Sequence, residues 1–272
     1  MGKRQGTRRW FWALCALLGL LGIASTSGAA GPTGIGKMTV SPNRVSAGSV
    51  NDLTLTYLSD SAPLNGQMRV DVPVAWSPPQ RANRTGPGYV ELDSAGCPGT
   101  RITGIVARRI TIAARCPRRH LFRLVYHAAT APQFSADGYI FLTQTRPASK
   151  SKKVVFKPLG PRKQPVVRVR GAAATGLFMT VTSVATVGVP FGVTVRAIDQ
   201  WGNNAADYPG TVTLASTDPA ATLPGPYVYG PRDTAQHTFT GVTLRTPGVH
   251  RITAIDSNGF TVQSGPITVS QF

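Results

Sequence analysis

The sequence predicts an all-β protein of two antiparallel β-sandwich domains in tandem, behind an export segment. Short runs that alternate apolar and polar residues recur along the chain, as in Phe191-Gly-Val-Thr-Val-Arg-Ala197. A period of two puts one side of a strand against a core and the other in water. Gly, Pro and Asn residues punctuate these runs at sandwich spacing, and the chain beyond its N-terminal stretch carries no helical period.

Residues 1–30 have the three parts of a signal peptide. Lys3, Arg4, Arg8 and Arg9 form a basic start, Trp10 to Ile23 an apolar run, and residues 24–30 a tail of small residues. The apolar run is shorter than the roughly 20 residues that a membrane-spanning helix needs, so removal on export is the expectation. Thr7-Arg8-Arg9-Trp10-Phe11-Trp12 resembles the twin-arginine export motif, and the Sec route is the alternative. No later stretch approaches membrane length, and the last residues carry no apolar anchor. The expected location is therefore secreted or cell-surface.

Residues 31–149 read as the first sandwich. Leu53-Thr-Leu-Thr-Tyr57 alternates, and Met68, Val70, Val72, Val74 and Trp76 share one face while Arg69 and Asp71 take the other. Asn65-Gly66 between these runs is a hairpin-turn dipeptide, as is Asp137-Gly138 ahead of Tyr139, Phe141 and Thr143. Cys15 leaves with the signal, so the exported chain keeps Cys97 and Cys116. An even pair in an exported protein implies a disulfide. The runs Arg101–Val106 and Arg109–Ala113 between them would pair as neighbouring strands and bring the thiols together.

Residues 150–170 interrupt this rhythm with charge and proline, which predicts an extended basic linker. The second sandwich, residues 171–272, reads as strands over 177–182, 191–198, 211–215, 237–244, 248–255 and 266–270, with Ser257-Asn258-Gly259 as a late corner. Its stretch Val187-Gly-Val-Pro-Phe-Gly-Val-Thr-Val-Arg-Ala-Ile-Asp-Gln-Trp-Gly-Asn203 is followed by Tyr208-Pro-Gly-Thr-Val-Thr-Leu214 and Ser216-Thr-Asp-Pro219. Together these resemble a bacterial immunoglobulin-like repeat of surface proteins, over roughly residues 171–270. That resemblance implies an immunoglobulin-like sandwich serving adhesion, envelope association or spacing. More weakly, Val40–Gly48 and Val72–Ser77 resemble the opening of another repeated extracellular β-domain of bacteria, from which the basic tract Arg108, Arg109, Arg115, Arg118 and Arg119 departs.

Charge is unevenly spread. The formal total of +18 divides into +4 for residues 1–30, +7 for 31–149, +8 for 150–170 and −1 for 171–272. An anionic partner would therefore sit on the first sandwich and the connector. The candidate polyanion-binding residues are Lys150, Lys152, Lys153, Lys157, Arg162, Lys163, Arg168 and Arg170, with Arg118 and Arg119. Base stacking needs exposed rings, and Phe156 is the one aromatic in the connector, which disfavours nucleic acid.

Catalysis finds no support in the residue pattern. His120, His127, His237 and His250 lack the spacing of a zinc site, no Gly-x-Ser-x-Gly elbow occurs, and the chain has only 11 acids. Asp199, Trp201, Gly202 and Asn203 offer oxygens of the kind calcium takes. With so few acids they read as a structural loop, Asp and Asn capping amides and the indole closing the end of a core. The expectation is a non-catalytic protein without cofactor or metal that makes protein–protein contacts. The alternative is a polyanion- or carbohydrate-binding module that uses the basic linker and the arginines of the first sandwich.

Overall fold

The computed structural model describes residues 33–149 and 154–271, so the signal peptide reading lies outside the described residues. Among the described residues every regular element is a β-strand apart from one 3-10 turn at Pro161–Lys163. Among the described residues no helix is long and apolar enough to cross a membrane.

The first half comprises β1 (Lys37–Ser41), β2 (Arg44–Ser46), β3 (Val50–Leu58), β4 (Leu64–Asp71), β5 (Tyr89–Asp93), β6 (Arg101–Val106), β7 (Arg109–Cys116), β8 (Leu121–Thr130), β9 (Ala136–Ile140), β10 (Leu142–Pro147), β11 (Lys157–Pro158) and β12 (Val166–Arg170). One layer runs β1-β3-β8-β5. The facing layer holds β2-β12-β9 and β11-β10-β4-β7-β6, the two sets meeting where Phe141 alone separates β9 from β10. Alternation delivers the core: Leu53, Leu55 and Tyr57 of β3 and Phe122, Leu124 and Tyr126 of β8 pack against Met68, Val70, Ile110, Ile112 and Phe141. Each such burial stabilises the fold by about 1.5–3 kcal/mol.

The second half comprises β13 (Gly176–Thr180), β14 (Val184–Thr186), β15 (Phe191–Ile198), β16 (Thr211–Ser216), β17 (Tyr227–Val228), β18 (Gln236–Val242), β19 (Gly248–His250), β20 (Ile252–Asp256), β21 (Thr261–Gln263) and β22 (Ile267–Ser270). β13-β15-β18 forms one layer, and β14-β22-β19 with β17-β16-β20-β21 the other. Val193, Val195, Ala197 and Phe239 face Val212, Leu214, Ile252, Ala254 and Ile267 in a separate core. Both halves are antiparallel sandwiches with the same opening. The chain starts in one layer (β1 on β3, β13 on β15), then crosses to the other, where β2 runs parallel to β12 and β14 parallel to β22. This split first strand and the two facing sheets make the fold immunoglobulin-like.

Four sequence expectations change. The basic linker is in part sheet: Lys157–Pro158 pairs β10, and Val166–Arg170 lies between β2 and β9 with Val167 and Val169 buried in the first core. Val166-Val-Arg-Val-Arg170 alternates like any strand, and its arginines point outward. Asn65-Gly66 is no turn but part of β4, where a Cβ on Gly66 would collide with the backbone carbonyl of Arg146. Asp137-Gly138 likewise lies within β9, and a Cβ at Gly138 would sit 3.1 Å from Val166. In both places glycine serves close approach rather than a corner. Val74 leaves the core face and is 84% exposed, because β4 ends at Asp71 and the chain turns. The Arg108 guanidinium holds that turn by donating to the carbonyls of Val72, Pro73 and Trp76.

Candidate functional site

The outer face of the first sandwich is built on a hairpin. β6 and β7 pair antiparallel, β7 pairs β4, and the Cys97–Cys116 disulfide closes the open end of the hairpin. A bridge across a loop of this length stabilises by about 3 kcal/mol in the chain-entropy model. Register then places chemistry from distant sequence in one row: Arg146 lies opposite Gln67, Gln67 opposite Ala113, and Ala113 opposite Arg101. Since residues opposite one another share a face, Arg101 and Arg146 flank the row on the solvent side, three strand spacings or about 14 Å apart. Arg115 follows two residues along β7, beside Asn65.

Between these arginines runs an open groove of about 530 Å³. Its floor includes Gly66, Gly99, Ala113 and Ala148, and its lining contains no acid. Small floor residues leave the room that long ones would fill. Arg146 is held in place, its guanidinium 4.7 Å from the centre of the Phe156 ring and hydrogen-bonded to the Gln67 side-chain oxygen. Arg69 also stacks on Phe156, at 3.8 Å. Arg101 and Arg115 make no side-chain hydrogen bond or ion pair with any described residue.

The acids of the first sandwich are mostly committed elsewhere. Asp71 pairs with Arg109 at 2.6 Å, Asp93 with Arg123 at 3.1 Å, Asp60 with Lys163 at 2.8 Å, and Asp52 and Glu91 flank His127. The Lys163 ammonium bonded to Asp60 outweighs the effect of burial and holds its carboxyl below the usual range.

Of the sequence candidates for polyanion binding, Lys150, Lys152 and Lys153 lie outside the described residues. Lys157 is half-buried in β11, and Lys163 and Arg170 are engaged with Asp60 and Asp207. Arg162 and Arg168 are exposed, as are Arg118 and Arg119 in the turn between β7 and β8. The groove arginines Arg101 and Arg146 were missed as a pair because 45 residues separate them and only strand register joins them.

The loop Asp199–Asn203 sits at the join of the two sandwiches, within the compact unit that runs from Pro32 to Phe272. Asp199 is 2% exposed. One carboxylate oxygen accepts from the amides of Trp201 and Asn203, the other from Ala172 and the Asn203 side chain, all at 2.8–2.9 Å. Burial pushes the Asp199 carboxyl up, but the Asn203 side chain and three amides outweigh it and hold it below its ordinary value. Asn203 then reaches the first sandwich: its side-chain nitrogen donates to the Gln133 carbonyl at 2.7 Å and its oxygen accepts from the Ser135 amide at 2.9 Å. Trp201 packs against the core of the first sandwich, over Gly48, where any Cβ would collide with the indole. Gly202 supplies the positive φ of 82° that the loop needs. Arg170 adds a two-pronged pair with Asp207.

The second sandwich repeats this use of aspartate. Asp256 accepts from the amides of Asn258 and Phe260, and Asp218 from those of Ala220, Arg245 and Thr246. In each, hydrogen bonds overcome burial and lower the carboxyl's pKa. Among the described residues no group of three or more His, Cys, Asp or Glu side chains is placed to hold a metal ion.

No protein-family model matches the chain, and no curated protein does. Among solved structures it is similar to the Escherichia coli adhesin FdeC, with 10% identity and a TM-score of 0.30 over 88% of this chain and 65% of that one. It is also similar to the type II cohesin dyad of the ScaA scaffoldin of Acetivibrio cellulolyticus, at 11% identity and a TM-score of 0.30, covering 88% of this chain and 97% of that one. A third likeness is to the ICAM-5 D1–D4 ectodomain fragment, at 13% identity and a TM-score of 0.27, over 87% and 51% of the two chains. The chain thus spans just under two thirds of the first of these and about half of the third.

Proposed function

We propose that the chain is an exported, non-catalytic binding protein of the adhesion or spacer type, in which two coupled sandwiches form a stiff arm and the outer face of the first makes the contact. The observation that carries this reading is the join. The polar groups of Asp199 and Asn203 and the Trp201 indole are committed to holding one sandwich on the other, an arrangement that suits presentation of a surface at a fixed distance. Three aspartates of the second sandwich are committed to capping its corners, which takes them out of acid–base work. The disulfide supports an oxidising, extracytoplasmic location.

The test is retention of purified residues 31–272 on isolated envelopes of the producing cell. Retention that a mild wash does not remove is the expected result. A chain that washes off completely at low and high salt alike would end this reading.

A further inference from the structure

We propose that the arginine-walled groove on β4, β6, β7 and β10 binds an acidic glycan, a hydroxyl-rich chain carrying carboxylate, sulfate or phosphodiester groups. The proposal rests on the reading of the chain as an exported binding protein and names the class of its ligand. Arg101, Arg115 and Arg146 converge on one depression whose lining holds no acid. The first sandwich's Asp71 is taken by Arg109 further along the strands. The positive field over the groove is therefore not neutralised from within the described fold. Guanidinium groups present forked donors that match the paired oxygens of an oxoanion, which an ammonium does not. Arg146 is already oriented by Phe156 and Gln67, so less side-chain freedom is lost on binding.

The shape points to a polymer. Beyond Arg115 and Asn65 a second open depression of about 520 Å³ continues along Pro63, Pro98 and Pro117. Past Arg101 a third, of about 290 Å³, brings in Arg81 and Arg84, with Glu91 in its lining 3.5 Å from the Arg84 guanidinium. Since neighbouring depressions share Arg115 or Arg101, a chain lying across the face passes from one to the next and meets a guanidinium at each border. Asn65 and Gln67 line the same groove with amides that both donate and accept, as recognition of hydroxyl groups requires. A nucleic acid would look for free aromatic faces, but Phe156 is stacked by two arginines and Tyr89 leans on His127.

The test titrates fluorescein-labelled polygalacturonate, heparin and poly(glycerol phosphate) into purified residues 31–272, with dextran, poly-glutamate and oligothymidylate alongside. At least one acidic glycan is expected to bind, more weakly as salt rises, and dextran not at all; the three acidic probes tell which oxoanion is preferred. The double variant Arg101→Gln/Arg115→Gln removes two side chains that make no hydrogen bond or ion pair with any described residue, so its fold should be intact by circular dichroism. It should bind at least about tenfold more weakly, as loss of two charge-assisted contacts implies. Arg162→Gln/Arg168→Gln removes the same charge elsewhere and should change affinity less than about twofold. Equal losses in the two doubles would move binding to the general basic surface and overturn the proposal. So would poly-glutamate or oligothymidylate binding as tightly as any glycan. If wild type and the Arg101/Arg115 double are held equally on envelopes, the groove proposal fails while the adhesion reading stands. If wild type is not held, the adhesion reading itself fails.

Discussion

In the first sandwich β4 is flanked by the eight residues of β7 and, beyond it, by β6; in the second the equivalent strand, β16, is flanked by the two residues of β17. The two halves share the split opening strand and the parallel closing pair, and the other layer of the first differs only in the extra edge strand β5 beside β8. The hairpin is thus an addition to a common scaffold, and the groove, the disulfide and the groove arginines all sit on it or beside it. The charges follow the same division. Residues 171–272 are close to neutral, at −1, and their buried acids hold corners, whereas the first sandwich leaves cations facing water. The lesson is that fold and contact surface are separable here: what both halves have is structural, and what only one has is the place to look for binding.

The comparison breaks most sharply at Asp199. Asp199→Ala orphans four donors at a buried site and should destabilise the second sandwich by about 3–4 kcal/mol. It should also loosen the join, read by urea denaturation and by a broader distribution of lengths in small-angle scattering. Replacing Cys97 and Cys116 by serine should destabilise the first sandwich by about 3 kcal/mol. The second sandwich's unfolding transition should not move, as segment-resolved hydrogen exchange will check. Trp201→Ala removes an indole shared between halves and should lower stability by about 2 kcal/mol. The unfolding transitions of the two sandwiches should then lie further apart in the thermogram than they do in wild type.

Acid sharpens the contrast more gradually. Asp199, Asp218 and Asp256 all titrate below their unfolded value of about 4. The stability they contribute is therefore present above pH 4 and is lost as pH falls through their depressed folded values. Hydrogen exchange followed downward from pH 4 should show the second sandwich opening before the first. The reverse order would remove the corner aspartates as its main support.

Much of this plan was legible in the residues. Strand β15 occupies the run Phe191–Ile198 that its alternation marked, and the two thiols meet because 101–106 and 109–113 pair as their pattern required. The connector misled because lysine and proline dominate its composition, while the five residues that decide its structure, Val166–Arg170, keep strand rhythm. Gly66 and Gly138 misled because a turn dipeptide and a crowded strand position make the same demand, the absence of a side chain. The groove was less visible. Arg115 stood out in a basic tract, but Arg146 becomes its neighbour only through the register of three strands. Trp201 read as closing the end of a core, yet sequence could not say that the core lies in the other half.

The parallel pairing in each half has a mechanical consequence. Within each sandwich a strand near its start lies alongside a strand near its finish, both running the same way: Arg44–Ser46 beside Arg168–Arg170, and Val184–Thr186 beside Thr268–Ser270. Tension applied along the arm pulls such partners past each other lengthwise, so the bonds between them carry load together instead of opening singly from one end. Gly171 alone separates the last residue of the first sheet from Ala172, whose amide is fastened to Asp199. Force arriving at one sandwich therefore passes to the next with almost no slack to take up.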